Sequence, residues 1–294
     1  MATVSARAAW WLAIRPATLT ASAAPVLVGT GAAWADGAFA AGPALAALAG
    51  ASLLQVGANF ANDVFDFERG ADTEERLGPQ RATQQGWISA AQMKRAMWLA
   101  FAGAMLTGLY LTWVACWPVM ALGLLSIAAA YLYTGGPKPY GYLGLGDLSV
   151  FVFFGFGAVA GTYYVQALTV SSLSLWASVP VGALATAILV VNNLRDIETD
   201  RRANKLTLAV RLGDAATRHY YALLLAAAYA VPVGLVACGR AGAWALLPWL
   251  SLPLAVRLAR RMRSERGLSL NGCLVQTARL EVVFGVLFAL GLAL

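Results

Sequence analysis

Asn62-Asp63-Val64-Phe65-Asp66, running on to Asp72, closes an apolar run that begins near residue 43. Asn192-Asn193-Leu194-Arg195-Asp196, running on to Asp200, closes a second that begins near residue 176. Each run is long enough to cross a bilayer as a helix, which takes about 20 residues. Carboxylates thus gather twice where a membrane helix meets water, a position that disfavours charge. The pattern sets the fold class as all-α: a polytopic bundle of membrane helices with its chemistry at helix ends.

Six carboxylates crowd into residues 63–75, and like charges that close raise one another's pKa unless something positive holds them ionised. Spacings of three and four residues put Asn62 with Asp66, and Asn192 with Asp196 and Asp200, on one helical face. Oxygen-only donors suit a hard cation, magnesium before zinc, and magnesium commonly binds through a few carboxylates plus substrate phosphates. A diphosphate is the natural third party. Read without function, the same residues are solvated helix ends, but the pattern occurs twice.

The composition agrees: 60% hydrophobic residues, 12% charged and a mean hydropathy of +0.67 describe a membrane protein. Apolar runs near 17–35, 43–62, 97–115, 117–134, 147–168, 176–194, 220–238, 242–257 and 273–294 predict nine spans in a single integral-membrane domain over residues 1–294. The run from Ala8 to Val28 reads as the first span rather than a cleaved signal. With the N-terminus in the cytoplasm, 19 of the 21 basic residues fall on the inner side, leaving only Arg240 outside and Arg279 within the last span. The positive-inside rule then puts both acidic motifs on the cytoplasmic face and the C-terminus opposite. It also explains the net charge of +7 without nucleic acid. Cys116, Cys238 and Cys273 are scattered, and the single His219 excludes a His-rich metal site.

The motifs look like copies 130 residues apart, each followed by a basic loop and a helix start at Ser89 or Asp214, which hints at an internal repeat with the site between the halves. Between them, Tyr131 to Asp147 holds Gly135, Gly136, Pro137, Lys138 and Pro139, a broken backbone that is tolerated where it lines a cavity or faces water. Lys138 could reach a phosphate there, or sit on an ordinary turn. Phe151, Phe153, Phe154 and Phe156 open the fifth span; aromatic faces stabilise cations but also pack membrane helices. Arg279 and Glu281 should face the bundle interior and pair with polar partners.

The blocks Asn62–Gly86, Tyr133–Asp147 and Asn192–Gly213 resemble the UbiA superfamily of intramembrane prenyltransferases, in particular its 1,4-dihydroxy-2-naphthoate prenylating branch. They cover roughly a fifth of the chain. One departure is visible: four residues after Asp66 stands Gly70 where the family carries a carboxylate, so that Asp72 or Glu68 takes that role.

The resemblance implies helices around a central cavity that take a polyprenyl diphosphate and 1,4-dihydroxy-2-naphthoate to demethylmenaquinone, with loss of carbon dioxide and diphosphate, in a bacterial inner membrane among its lipids. Asn62, Asp66, Asp72, Asn192, Asp196 and Asp200 would hold magnesium, with Asp63 and Asn193 in support. Arg81, Lys138, Lys205 and Arg211 would neutralise the leaving group. Asp66, Asp196, Lys138 and Arg195 would be the catalytic set, and Tyr131, Tyr133, Tyr140, Phe151 and Phe154 would line the prenyl and aromatic pocket. Arg195, Arg279 or a tyrosine of the 131–142 stretch would meet the acceptor's carboxylate. The competing readings are another aromatic acceptor, such as 4-hydroxybenzoate or homogentisate, and a membrane cation transporter, which would need carboxylates reachable from both faces; only Asp36 is assigned to the other one.

Overall fold

The computed structural model describes residues 4–71 and 77–294. Among them there is no strand and no disulfide. The helices are α1 (Ala6–Ile14), α2 (Pro16–Ala35), α3 (Ala41–Glu68), α4 (Ala90–Ala115), α5 (Trp117–Leu132), α6 (Gly146–Ala167), α7 (Ser172–Arg195), the short α8 (Ile197–Arg202) and α9 (Leu208–Leu212), then α10 (Asp214–Ala237), α11 (Leu252–Ser264) and α12 (Leu270–Ala293). Six helical stretches are long and apolar enough to span a membrane: α3, α4, α6, α7, α10 and Gly267–Ala293, which contains α12. A seventh is added if α1 and α2, bent by 45° at Arg15, count as one span. The two remaining predicted spans are a 16-residue helix, α5, and a broken segment in which the tight turns of Ala243–Ser251 lead into α11.

α3 runs past the expected span to Glu68, so Asn62 to Asp66 are helical. α7 starts earlier than expected, at Ser172, and ends at Arg195, so the second motif straddles the break between α7 and α8. The Ser89 hydroxyl and Gln92 side chain cap α4 reciprocally, satisfying amide groups that a helix start leaves open. Arg15, at φ 55°, breaks α1 from α2, and Pro16 starts the next helix where its missing N–H does no harm.

α7 is the most enclosed span and packs on α6, α10 and α12. Its crossing with α6 is set by two glycines: a Cβ on Gly155 would stand 2.8 Å from the Ser178 carbonyl, and one on Gly182 would stand 2.8 Å from the Phe151 carbonyl. Along this crossing, Phe151–Ala160 is wound as a wider π-helix, a form usually confined to single turns and often found beside functional sites.

Arg279 and Glu281 do not pair. Arg279 is on the exposed face of α12, whereas Glu281 is 1% exposed and neither of its oxygens has a hydrogen-bond partner among the described residues. Residues two apart on a helix point to different sides, so only Glu281 faces the interior as expected, and it does so without the expected polar partner.

Candidate active site

Asp63, on the last turns of α3, is 1% exposed and accepts hydrogen bonds from the backbone amides of Ala82 at 3.1 Å and Thr83 at 2.9 Å. Buried amides need such partners, so this carboxylate ties the loop before α4 to the end of α3. The tie carries Arg81 onto Asp66: the guanidinium donates at 3.2 Å, with both side chains buried. The other Asp66 oxygen accepts from the Tyr142 hydroxyl at 2.8 Å.

Asn62, one turn earlier, accepts from the Thr134 hydroxyl at 3.0 Å. Arg69 donates to the carbonyls of Thr134 and Gly136, securing the broken backbone after α5 to α3. Tyr142 then lies between two cations, with the Arg69 guanidinium 5.7 Å and the Lys205 ammonium 5.3 Å from its ring centroid. At φ 79°, Gly144 takes a conformation that disfavours a side chain, and a Cβ there would meet Arg211 Nε at 2.8 Å. Arg211 donates to the Leu206 carbonyl, so it braces the same loop contact.

The second motif closes on itself. Arg195 donates from Nε and Nη2 to the two oxygens of Asp196 at 2.8 and 2.6 Å, with further bonds to Asn192 at 2.9 Å and Asn271 at 2.7 Å. Asn271 in turn donates to the Leu77 carbonyl at 2.9 Å, linking the start of α12 to the loop after the first motif. Asp200 lies 3.7 Å from the Lys205 ammonium, and Asp66 lies 3.9 Å from it on another side. Lys205 therefore joins the motifs.

The other predicted residues that the structure describes are not part of this hydrogen-bond network. Lys138 is exposed and makes no ion pair with either motif among the described residues. Tyr131 stacks on Trp98 and packs edge-on against Phe65, between α3, α4 and α5. Tyr133 and Tyr140 meet edge to face, and the Tyr140 hydroxyl bonds the Ala129 carbonyl and Ser149; burial raises the Tyr140 pKa, so the phenol stays protonated. Phe151 packs edge-on with Phe156 beside the α6–α7 crossing, and Phe154 is half-buried nearby. Glu68 turns to Lys94 at 2.7 Å, away from the Lys205 junction, while Asp72 lies outside the described residues.

Sequence reasoning passed over Asn271, Thr134 and Asp147. Asp147, in the first turn of α6, is buried, and its Oδ2 has no hydrogen-bond partner among the described residues. The Gly-Asp pair in a broken stretch is a sequence signal for it; Asn271, at an ordinary helix start, carries none. Among the described residues no three His, Cys, Asp or Glu side chains form a ready cage for a metal; Arg81, Lys205 and Arg195 stand against the carboxylates instead. The donors are nonetheless all hard oxygens, the kind magnesium takes.

Helical spans with paired acidic ends joined through Lys205 define an integral-membrane protein whose polar chemistry is gathered at one end of the bundle. The pattern of the UbiA prenyltransferase family matches residues 22–270, and the chain belongs to that family. It is 41% identical to the 1,4-dihydroxy-2-naphthoate octaprenyltransferase of Escherichia coli over 99% of this chain and 97% of that protein. It is 47% identical to the protein of that name from Mycobacterium tuberculosis over 88% of each. A UbiA homologue from Archaeoglobus fulgidus, solved with GPP and Mg2+, superposes with a TM-score of 0.66 at 14% identity, covering 97% of this chain and 99% of that one.

Proposed function

We propose that the protein transfers the polyprenyl group of a polyprenyl diphosphate to 1,4-dihydroxy-2-naphthoate, releasing carbon dioxide and diphosphate and leaving the naphthoquinol form of demethylmenaquinone. The observation that carries this is the junction at Lys205, where carboxylates from two motifs 130 residues apart meet the half-buried Lys205 and the buried Arg81. The names of relatives that match nearly the whole chain supply the acceptor.

Asn62, Asp66, Asn192, Asp196 and Asp200 would hold magnesium, with Asp72 completing the first motif since Glu68 is engaged by Lys94; Asp63 supports them by fixing the loop. Bound there, magnesium would neutralise diphosphate oxygens as the carbon–oxygen bond breaks. Arg81 and Lys205 already border Asp66, so the same cations would attract a diphosphate to this end of the bundle, and pre-placed charge of this kind stabilises a leaving group strongly. Arg195 orients Asp196 and Asn192. Tyr142, held between Arg69 and Lys205, fixes the Asp66 rotamer. Arg211 braces this loop, and Lys138 reaches the diphosphate only from the exposed rim.

The aromatic rings of Phe151, Phe154, Tyr133 and Tyr140 would shield the allylic cation from water until the electron-rich naphthoate ring attacks it. The new carbon–carbon bond forms at the carbon bearing the carboxylate, and loss of carbon dioxide returns its electron pair to the ring. The bias of basic residues supports a site at the cytoplasmic face, with the N-terminus inside and the C-terminus outside, and the bacterial relatives support an inner membrane as its place.

The test is acceptor-dependent diphosphate release by purified protein in nanodiscs with magnesium and a long-chain polyprenyl diphosphate. A decarboxylated prenyl naphthoquinol, detected as the quinone after oxidation by air, is expected only with magnesium. Product from 4-hydroxybenzoate or homogentisate alone would overturn the acceptor, and no product with any aromatic acceptor would overturn the transfer.

A further inference from the structure

Away from the acidic motifs, α11 carries a groove of about 540 Å³ lined by Leu252, Pro253, Val256, Arg257, Arg260 and Arg261. This volume lies within the roughly 300–1,000 Å³ typical of ligand sites. The six residues form two adjacent rows at four-residue spacing, Leu252, Val256, Arg260 and Pro253, Arg257, Arg261, so they share one helical face. The face changes character along its length, apolar for its first turn and a half and cationic beyond.

The cationic half lies at the end of the bundle that bears the acidic motifs. A Cβ on Gly272 would stand 3.1 Å from the Arg261 guanidinium, and the neighbouring Asn271 bonds Arg195. Arg261 is held by Glu265 at 2.6 Å. Arg257 and Arg260 make no ion pair or side-chain hydrogen bond among the described residues and are exposed. Two adjacent guanidiniums without a counter-charge, next to an apolar wall that continues into the bilayer, match an amphiphile with an anionic head and a hydrocarbon tail.

We propose that this groove binds an anionic glycerophospholipid of the surrounding leaflet, its phosphate between Arg257 and Arg260 and its acyl chain along Leu252, Pro253 and Val256. Cationic pockets beside membrane helices recognise anionic head groups in this way. The polyprenyl diphosphate is a poorer match, because no carboxylate lines the groove to share a metal with a diphosphate. An interfacial arginine strengthens binding to anionic lipid by roughly fivefold, so two together give roughly 25-fold at physiological ionic strength.

The experiment is native mass spectrometry of the delipidated full-length protein titrated with phosphatidylglycerol or phosphatidylcholine, and the same titration of an R257Q/R260Q variant. Phosphatidylglycerol should bind at least tenfold more tightly than phosphatidylcholine, and the variant should lose most of that preference while still prenylating in phosphatidylcholine nanodiscs. Equal binding of the two lipids, or an unchanged preference in the variant, overturns the site. Displacement by polyprenyl diphosphate, or by inorganic phosphate alone, overturns the choice of ligand. If the variant does not fold, the wild-type protein decides: raising salt must weaken phosphatidylglycerol binding and leave phosphatidylcholine unaffected, and any other salt response counts against the proposal.

Discussion

Asp66 on α3 and Asp200 on α8 share one ammonium, that of Lys205, at 3.9 and 3.7 Å. Two carboxylates this close to one cation have a common field, so removing either changes what the other can bind. Asp66→Ala and Asp196→Ala should each lower kcat/KM for prenyl transfer by more than about 100-fold, the scale of losing a pre-placed charge at a developing one. Lys205→Gln should raise the KM for the polyprenyl diphosphate about tenfold with a smaller change in kcat. Near-normal turnover of the Asp66 and Asp196 variants at saturating magnesium would remove the motifs from the chemistry.

Asp63 stands three residues from Asp66, yet its contacts predict a different phenotype. Both of its oxygens serve buried backbone amides, and each amide left without a partner costs about 1–3 kcal/mol. Asp63→Ala should therefore lower the unfolding temperature markedly while the fraction still folded keeps its magnesium dependence; Asp66→Ala, which strands the buried Arg81 guanidinium, should lower it too and lose turnover at any magnesium concentration. Added magnesium should rescue neither the stability nor the activity of the Asp63 variant. Thermal unfolding in detergent beside a magnesium titration separates the two roles.

The ends of most spans and the acidic motifs were legible because membrane helices announce themselves by long apolar runs and carboxylates at their ends are rare. α5 and the break at Ala243–Ser251 were harder: an apolar run gives the same signal whether it winds as a long helix or a short, broken one. Spacing also placed Asp63 and Asp66 together without telling them apart, since which carboxylate meets a backbone amide depends on how the loop at Ala82 and Thr83 folds back. Arg195 to Asn271 to Leu77 joins residues far apart in the chain, and no local pattern encodes such a contact. The expectation that Arg279 and Glu281 both face the interior failed for a legible reason, because two residues is the wrong spacing for one helical face.

Glu265 predicts a pH dependence of stability. Its carboxylate accepts two hydrogen bonds from Arg261, at 2.6 and 3.1 Å, which hold its pKa below the ordinary glutamate value. A depressed carboxylate pKa gives stability that is fully present above the unfolded value, about 4.3, and is lost as pH falls through the folded value. Glu265→Gln should thus unfold at a lower temperature than the wild type at pH 7, and the gap should close as the pH drops below about 4. A gap that is constant with pH would mean that packing, and not charge, accounts for the difference.

The crossing of α6 and α7 can be tested with paired glycine substitutions. At Gly182 an added methyl meets the Phe151 carbonyl at 2.8 Å and the Gly155 Cα at 3.2 Å, both backbone atoms that cannot swing aside. Overpacking of this kind costs about 1–3 kcal/mol, so Gly182→Ala should unfold at a lower temperature and, by spreading α6 from α7, slow prenyl transfer. At Gly108, inside α4, nothing lies within 4 Å of the new Cβ. There alanine gains helix propensity of about 0.5–1 kcal/mol, and Gly108→Ala should be neutral to stabilising with activity retained. Equal effects at the two positions would show that the close approach of α6 and α7 does not hold in the membrane.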